Sequence, residues 1–193
     1  KPAPLPMHPG GRYYKNTLSS ILEEMGYNDL KIVHRLDAVT SGIVLFAKTK
    51  TFATKAMQAF SSKNVYKKYY AEVAGSPSTH SKTINSPIKR KTGFVFESDD
   101  SLQNAKAALT HFTLISKKQK SSIIACEPKT GRTHQIRLHL EKWGYPIIDD
   151  PIYGINGDKS SKKAQNSGIR LVNVELNIPT LDIALNLEQF GIS

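Results

Sequence analysis

Two short polar blocks carry the side chains of this chain that could do chemistry. The first, His34-Arg35-Leu36-Asp37, runs through Thr40-Ser41-Gly42 into the apolar stretch Ile43-Val44-Leu45-Phe46-Ala47-Lys48. It sets one carboxylate beside a guanidinium, on a polar loop that feeds a buried strand. The second, Lys129-Thr130-Gly131-Arg132-Thr133-His134-Gln135-Ile136-Arg137-Leu138-His139, concentrates Arg and His. Alone, an Asp next to an Arg is half of a surface ion pair that contributes little. The second cationic cluster gives Asp37 a setting in which an ionised carboxylate can act on a substrate. Metal and phosphate-loop chemistry find no footing: Gly131-Arg132-Thr133 lacks the Gly-x-x-x-x-Gly-Lys pattern, and no Cys/His set has zinc spacing. On a helix His134 and His139 would point about 140° apart, which does not suit a shared ion.

Placing these groups falls to elements that the apolar pattern predicts. Leu18, Ile21, Leu22 and Met25 recur at helical spacing, with Asn16 or Thr17 as cap and Gly26 as stop, so a short amphipathic helix should sit on the core. Gly42 to Ala47 reads as one buried strand, and Ala53, Ala56, Met57 and Phe60 as the stripe of a second helix. Tyr66–Val73, Ala107–Ile115 and Ser122–Glu127 read as strands. Thr133 is expected to cap a third helix with the stripe Ile136, Leu140 and Trp143, ended by Gly144. This mixed order favours an α+β fold over a regular βαβ repeat. Ser76–Lys106 and Ile155–Gly168, rich in Ser, Lys, Asn, Asp and Gly, resist assignment.

Bulk properties narrow the partner. The 193 residues fit one domain, residues 1–193, able to bury a real core. A formal charge of +11 and a pI near 9.7 attract polyanions, which makes nucleic acid the natural partner. No apolar run reaches the length of a membrane span, and the chain reads as soluble. The single Cys126 sits in a strand-like run and fits a reducing compartment, hence a cytoplasmic location, with packing as its role. The Pro-rich start lacks both an initiator Met and the apolar core of a signal peptide, so a fragment missing N-terminal residues of a longer protein is expected.

Taken in order, four blocks resemble the RluA family of pseudouridine synthases. They are the His34–Lys48 block with Asp37; Lys67-Lys68-Tyr69-Tyr70-Ala71-Glu72-Val73-Ala74-Gly75; the Thr130–Leu140 block with Arg137; and Gly144-Tyr145-Pro146-Ile147 through Asp150 to Tyr153-Gly154. The likeness covers nearly all of Lys1–Gly154. It implies a single α+β catalytic domain with a mixed, mostly antiparallel central sheet flanked by helices and loops. It also implies isomerisation of uridine to pseudouridine in structured RNA, ribosomal or transfer, by a monomer needing neither metal nor cofactor. The match makes Asp37 the catalytic carboxylate and leaves open whether it attacks C1′, attacks C6 or assists elimination at the sugar. It makes Arg137 the cation that keeps Asp37 ionised. It makes Tyr69 the ring that packs on the target uracil; strand alternation sends Tyr70 to the other face. Arg35 is expected to contact phosphate or fill the space of a flipped base, and His34 to hydrogen bond without acting as a base. Thr40, Lys67, Arg132, Thr133, His134 and Gln135 are expected at the RNA, with Ile136 or Leu138 as apolar wall.

Two positions depart from the family pattern. Asp149 stands where Gly is usual before the conserved Asp, and Leu171-Val172-Asn173 replaces Leu-His-Ala, which puts a local turn and the docking of the last strand in question. Lys159, Lys162 and Lys163, among small polar residues, read equally as a clamp on RNA phosphates or as an ordinary solvated connecting loop. The rival reading is an inactive RNA-binding module that kept the fold, for which the trio Asp37, Tyr69 and Arg137 has no use. A deaminase or nuclease would need a metal set or clustered carboxylates.

Overall fold

A computed structural model describes residues 1–10, 15–159 and 167–187. In chain order its elements begin α1 (Leu18–Glu24), β1 (Lys31–Ile32), β2 (Ser41–Gly42), β3 (Phe46–Ala47), α2 (Lys50–Ser61) and β4 (Tyr66–Ala74). There follow β5 (Ser81–Asn85), β6 (Ile88–Thr92), β7 (Val95–Ser98), β8 (Leu109–Lys117), β9 (Ser121–Pro128), α3 (Gln135–Lys142), β10 (Leu171–Ile178) and β11 (Ile183–Asn186). This is the expected α+β class with mostly antiparallel pairing. The chain divides into two compact units, one of Lys1–Lys67 with the segment from Asn173 onward, the other of Lys68–Val172.

In the first unit α2 supplies the apolar face. Thr49 caps it, its Oγ1 accepting the Phe52 N–H at 3.2 Å, and Ala53 and Ala56 pack with Val33 and Ala47, ringed by Leu45, Phe52, Phe60 and Leu181. Met57, expected in the stripe, is half exposed. The strand expected over Gly42–Ala47 is broken into β2 and β3 because its middle bonds elsewhere. Ile43 exchanges hydrogen bonds with Asn173, whose Nδ2 donates to the Ile43 carbonyl at 3.0 Å, and the Leu45 N–H goes to a histidine ring. Asn173, one of the departures from the family pattern, is thus fully buried and ties down its own strand. Gly42 is obligatory beside it: its φ is +114°, and a Cβ there would collide with the Asn173 backbone. Helix α1 corrects a second expectation. None of its residues is buried; Thr17 caps it, and the Pro6 and Met7 carbonyls accept its first N–H groups, so backbone contacts hold it in place of an apolar face.

In the second unit β4, β9, β8 and β5 form an antiparallel sheet in that order, with Tyr69 opposite Cys126 and Phe112 opposite the same residue. Ser76–Lys106, unassignable from sequence, holds β5 and the β6–β7 hairpin. After Ile88 every residue of β6 is exposed, so the strand carries no alternation to read. Ile88 and Val95 root the hairpin in a core with Ala108, Leu138, Ile152 and Tyr153. Helix α3 starts at a different cap from the one expected: His134, at φ +57°, takes the cap position without a side-chain hydrogen bond to the helix N–H groups, and Thr133 stays outside. Gly144, at φ +89°, ends it as foreseen. Of the lysines weighed as an RNA clamp, Lys162 and Lys163 lie outside the described residues, and Lys159 pairs with Glu141.

Candidate active site

Asp37 opens a tight turn that the Thr40 N–H closes on the Asp37 carbonyl at 3.0 Å. Leu36 and Val39 are buried on either side and peg the turn, leaving Asp37 half-buried at its start. Lys1 Nζ donates to the Ala38 and Leu5 carbonyls at 3.0 and 2.7 Å. Burial lowers its pKa to about 8, a shift the nearby Asp37 charge opposes. Thr40, expected at the RNA, is 2% exposed and serves the turn. His34 Nε2 accepts the Leu45 N–H at 2.9 Å, and its ring stacks on Phe60. Burial, and secondly the charge of Lys67, push its pKa down to about 4, so at neutral pH it is an uncharged acceptor that braces the broken strand. Arg35 is exposed, and Lys67 is half-buried with its pKa lowered by burial.

In the second unit β4 turns Tyr69 inward, at 8% exposure, and Tyr70 outward, as strand alternation requires. The fourth block is laid along the same strand: the Ala74 N–H bonds Pro146 and the Ile148 N–H bonds Glu72, which delivers Asp150 to the face of α3. There Arg137, 1% exposed, donates Nε to Asp150 Oδ2 at 2.7 Å and Nη2 to Oδ1 at 2.8 Å. Asp150 Oδ1 also accepts the N–H groups of Ile152 and Tyr153. Burial, the largest influence, works to raise the Asp150 pKa, but the Arg137 hydrogen bond and charge and the two N–H groups outweigh it and hold the carboxyl below its usual value. The sequence placed Asp150 and Tyr153 in the fourth block without giving either a task.

Gln135 was expected at the RNA, yet its amide is spent within the protein. Nε2 donates to the Leu109 carbonyl and to Thr110 Oγ1, while Oε1 accepts from Thr130 Oγ1 and the Arg132 N–H. It therefore fixes the loop that presents Arg132 and Thr133, both exposed. Arg132 Nε donates to the Ala107 carbonyl. His139, fully buried, lies between Thr110 Oγ1 and the Ser86 carbonyl and staples α3 to β8. His134 lies 2.9 Å from Tyr153 Oη. Ile136 is 7% exposed, and Leu138 belongs to the core. The expected residues thus form two sets: His34, Arg35, Asp37, Thr40 and Lys67 in the first unit, Tyr69 and Arg132 through Arg137 in the second. Among the described residues no three His, Cys, Asp or Glu side chains gather as a metal set, and no helix is long and apolar enough to cross a membrane.

The sequence pattern of RNA pseudouridylate synthases matches residues 1–142, a span that holds Asp37, Tyr69 and Arg137. The chain is 36% identical over 190 residues to RNA pseudouridine synthase 7 of Oryza sativa subsp. japonica, covering 94% of this chain and 48% of that protein. It is 38% identical over 158 residues to ribosomal large subunit pseudouridine synthase C of Rickettsia typhi, covering 80% and 52%. Against the mitochondrial tRNA pseudouridine(32) synthase of Saccharomyces cerevisiae it is 38% identical over 162 residues, covering 79% and 34%. The solved structure of Human RNA Pseudouridylate Synthase Domain Containing 1 matches with a TM-score of 0.75 at 27% identity, over 88% of this chain and 72% of that one. The chain therefore belongs to the RNA pseudouridylate synthase family. It spans between 34% and 52% of the length of these three curated relatives.

Proposed function

We propose that the protein isomerises uridine to pseudouridine in structured RNA, ribosomal or transfer, with Asp37 as the catalytic carboxylate. The observation that carries this reading is the family match over residues 1–142, which includes Asp37, Tyr69 and Arg137 together. The reaction breaks the bond from ribose C1′ to uracil N1 and forms one from C1′ to C5. C5 loses a proton and N1 gains one, so neither electrons nor a co-reactant are exchanged. Asp37 supplies the anion at the sugar or the ring, and the family resemblance gives Arg137 the task of stabilising it. Tyr69 holds the detached base, a stacking contact worth about 1–3 kcal/mol. Gln135 and Thr40 act by shaping loops, since their polar groups are buried.

Arg35, Lys67, Arg132 and Thr133 are assigned to the RNA backbone. To them we add the β6–β7 hairpin, whose Lys89, Arg90 and Lys91 are exposed beside Phe94, itself 62% exposed at the tip. We place the protein in the cytoplasm on the strength of its single buried thiol; the yeast relative is named mitochondrial, so fractionation decides. The test of function is pseudouridine mapping in ribosomal and transfer RNA after incubation with purified protein and with Asp37→Asn. New pseudouridine at defined positions, absent with the variant, is expected. Tight RNA binding without any product would favour the inactive module.

A further inference from the structure

The reaction as proposed gives Tyr153 no part, although each portion of this residue, 2% exposed, holds a different partner. Its backbone N–H donates to Asp150 Oδ1 at 3.0 Å, the same oxygen that takes Arg137 Nη2. Its ring lies under that guanidinium, with Arg137 Cζ 4.9 Å from the centroid. Its hydroxyl accepts the backbone N–H of Phe96 in β7 at 2.9 Å and sits 2.9 Å from His134 Nδ1. Arg137 is thus held edge-on by Asp150 and face-on by Tyr153, while the far end of the tyrosine reaches the hairpin.

The hairpin continues the chain of contacts outward. Arg90 Cζ lies 5.2 Å over the Phe96 ring. The rings of Phe96 and His134 meet edge to face at 5.3 Å, and those of His134 and Tyr153 at 5.5 Å. Arg90, Phe96, His134, Tyr153 and Arg137 therefore form a continuous run from an exposed cation to a fully buried one. The Phe96 N–H ties the backbone of β7 to the Tyr153 hydroxyl, and a half-buried N–H without an acceptor is unfavourable. If the hydroxyl is removed, β7 must shift toward water, taking the Phe96 ring off His134.

We infer that Tyr153 is a positioning residue whose hydroxyl couples the seating of the β6–β7 hairpin to the orientation of the Arg137 guanidinium. The inference rests on the reading of the protein as a pseudouridine synthase and on the hairpin as an RNA contact. RNA gripped by the hairpin is then delivered in fixed relation to α3, and a loosened hairpin still binds RNA by its cations but delivers it badly. The coupling separates binding from turnover.

Tyr153→Phe is the test, because it keeps the ring under Arg137 and the N–H to Asp150 and removes only the hydroxyl. At saturating RNA its kcat is expected to fall about tenfold or more, with the RNA Kd little changed. Without RNA, NMR is expected to show faster solvent exchange of the Arg137 Nε–H in the variant. In a double-mutant cycle, the kcat loss caused by Arg90→Gln should shrink in the Tyr153→Phe background. A merely structural hydroxyl would lower the melting temperature, measured in parallel, and leave kcat of the folded protein and the Nε–H exchange unchanged. An unchanged value of either overturns the inference. Wild-type protein inactive on every RNA would instead overturn the functional reading, and the exchange measurement alone would then judge the coupling.

Discussion

Asp150 grips Arg137 through both carboxylate oxygens, at 2.7 and 2.8 Å, with the two side chains 0% and 1% exposed. A guanidinium and a carboxylate match as planar forks, so the pair satisfies direction as well as charge. Its worth lies in what happens when one partner goes, since the survivor is left charged in a site that excludes water.

Asp150→Ala is therefore expected to destabilise the protein by about 3–5 kcal/mol in urea titration. Asp150→Asn, which keeps the shape, should cost less. The pH dependence follows from the direction of the shift. The folded carboxyl sits below its unfolded value, so its stabilisation is complete above pH of about 4 and fades as pH falls through the lower folded value. The stability gap between wild type and Asp150→Asn should accordingly be flat from neutral pH down to about 5 and narrow below about 4. A gap independent of acid would mean that Asp150 is not ionised in the folded state.

Asp37→Asn should abolish pseudouridine formation while leaving fold and RNA affinity nearly intact, because the turn is held by the Thr40 N–H and by buried Leu36 and Val39, none of which needs the carboxylate. Product from the purified variant on RNA that the wild type modifies would remove Asp37 from the mechanism.

Tyr69→Phe should keep the stacking surface and lose only the contribution of the hydroxyl, whereas Tyr69→Ala should lose both and about 1–3 kcal/mol of base stacking with it. Tyr70 points the other way and is 39% exposed, so Tyr70→Ala should leave turnover nearly unchanged. The reverse ranking in single-turnover assays would assign the base platform to the wrong tyrosine.

His34 predicts a second pH effect, of the same sign and at higher pH. Its folded pKa of about 4 lies below the ordinary 6.5, so the stability tied to the neutral ring is complete above 6.5 and is lost as pH falls toward 4. Protonation puts a hydrogen on Nε2 and breaks the bond from Leu45. Chemical denaturation at a series of pH values should show a smaller slope in that window for His34→Gln than for wild type. Equal slopes would place the titration elsewhere.

Asp149 occupies φ +63° where the family usually has Gly, a backbone that Asp tolerates and Gly adopts freely. Its ion pair with Arg170 spans 3.4 Å between exposed side chains and contributes little. Asp149→Gly should then be neutral or up to about 1 kcal/mol stabilising by thermal melt. A loss of more than about 0.5 kcal/mol would show that the exposed pair matters after all.

Residues whose role is periodic were legible in the sequence, and residues whose role is relational were not. Tyr69 and Tyr70 separate because a strand alternates, and β8, β9, α2 and the end of α3 follow from apolar spacing and a stop glycine. The β2–β3 break was hidden because it depends on Asn173, distant in sequence and departing from the family pattern. The cap of α3 was misread because Thr133 is the better capping residue by type, while Gln135 satisfies the Arg132 N–H from within the helix. The family resemblance assigns Arg137 to Asp37, and nothing in a linear pattern indicates that Asp150, in the next block, pairs with it through both oxygens.

Cys126 has a practical consequence. It is the sequence's single cysteine, fully buried in β9, with burial pushing its thiol well above the ordinary value. A protonated, fully buried thiol reacts poorly with maleimides or iodoacetamides, so the folded chain of this sequence should stay silent to such reagents. Phe94→Cys at the hairpin tip would then be the one thiol that takes a dye or spin label, with no background to engineer away. Hairpin movement could be followed by spectroscopy in protein otherwise unaltered.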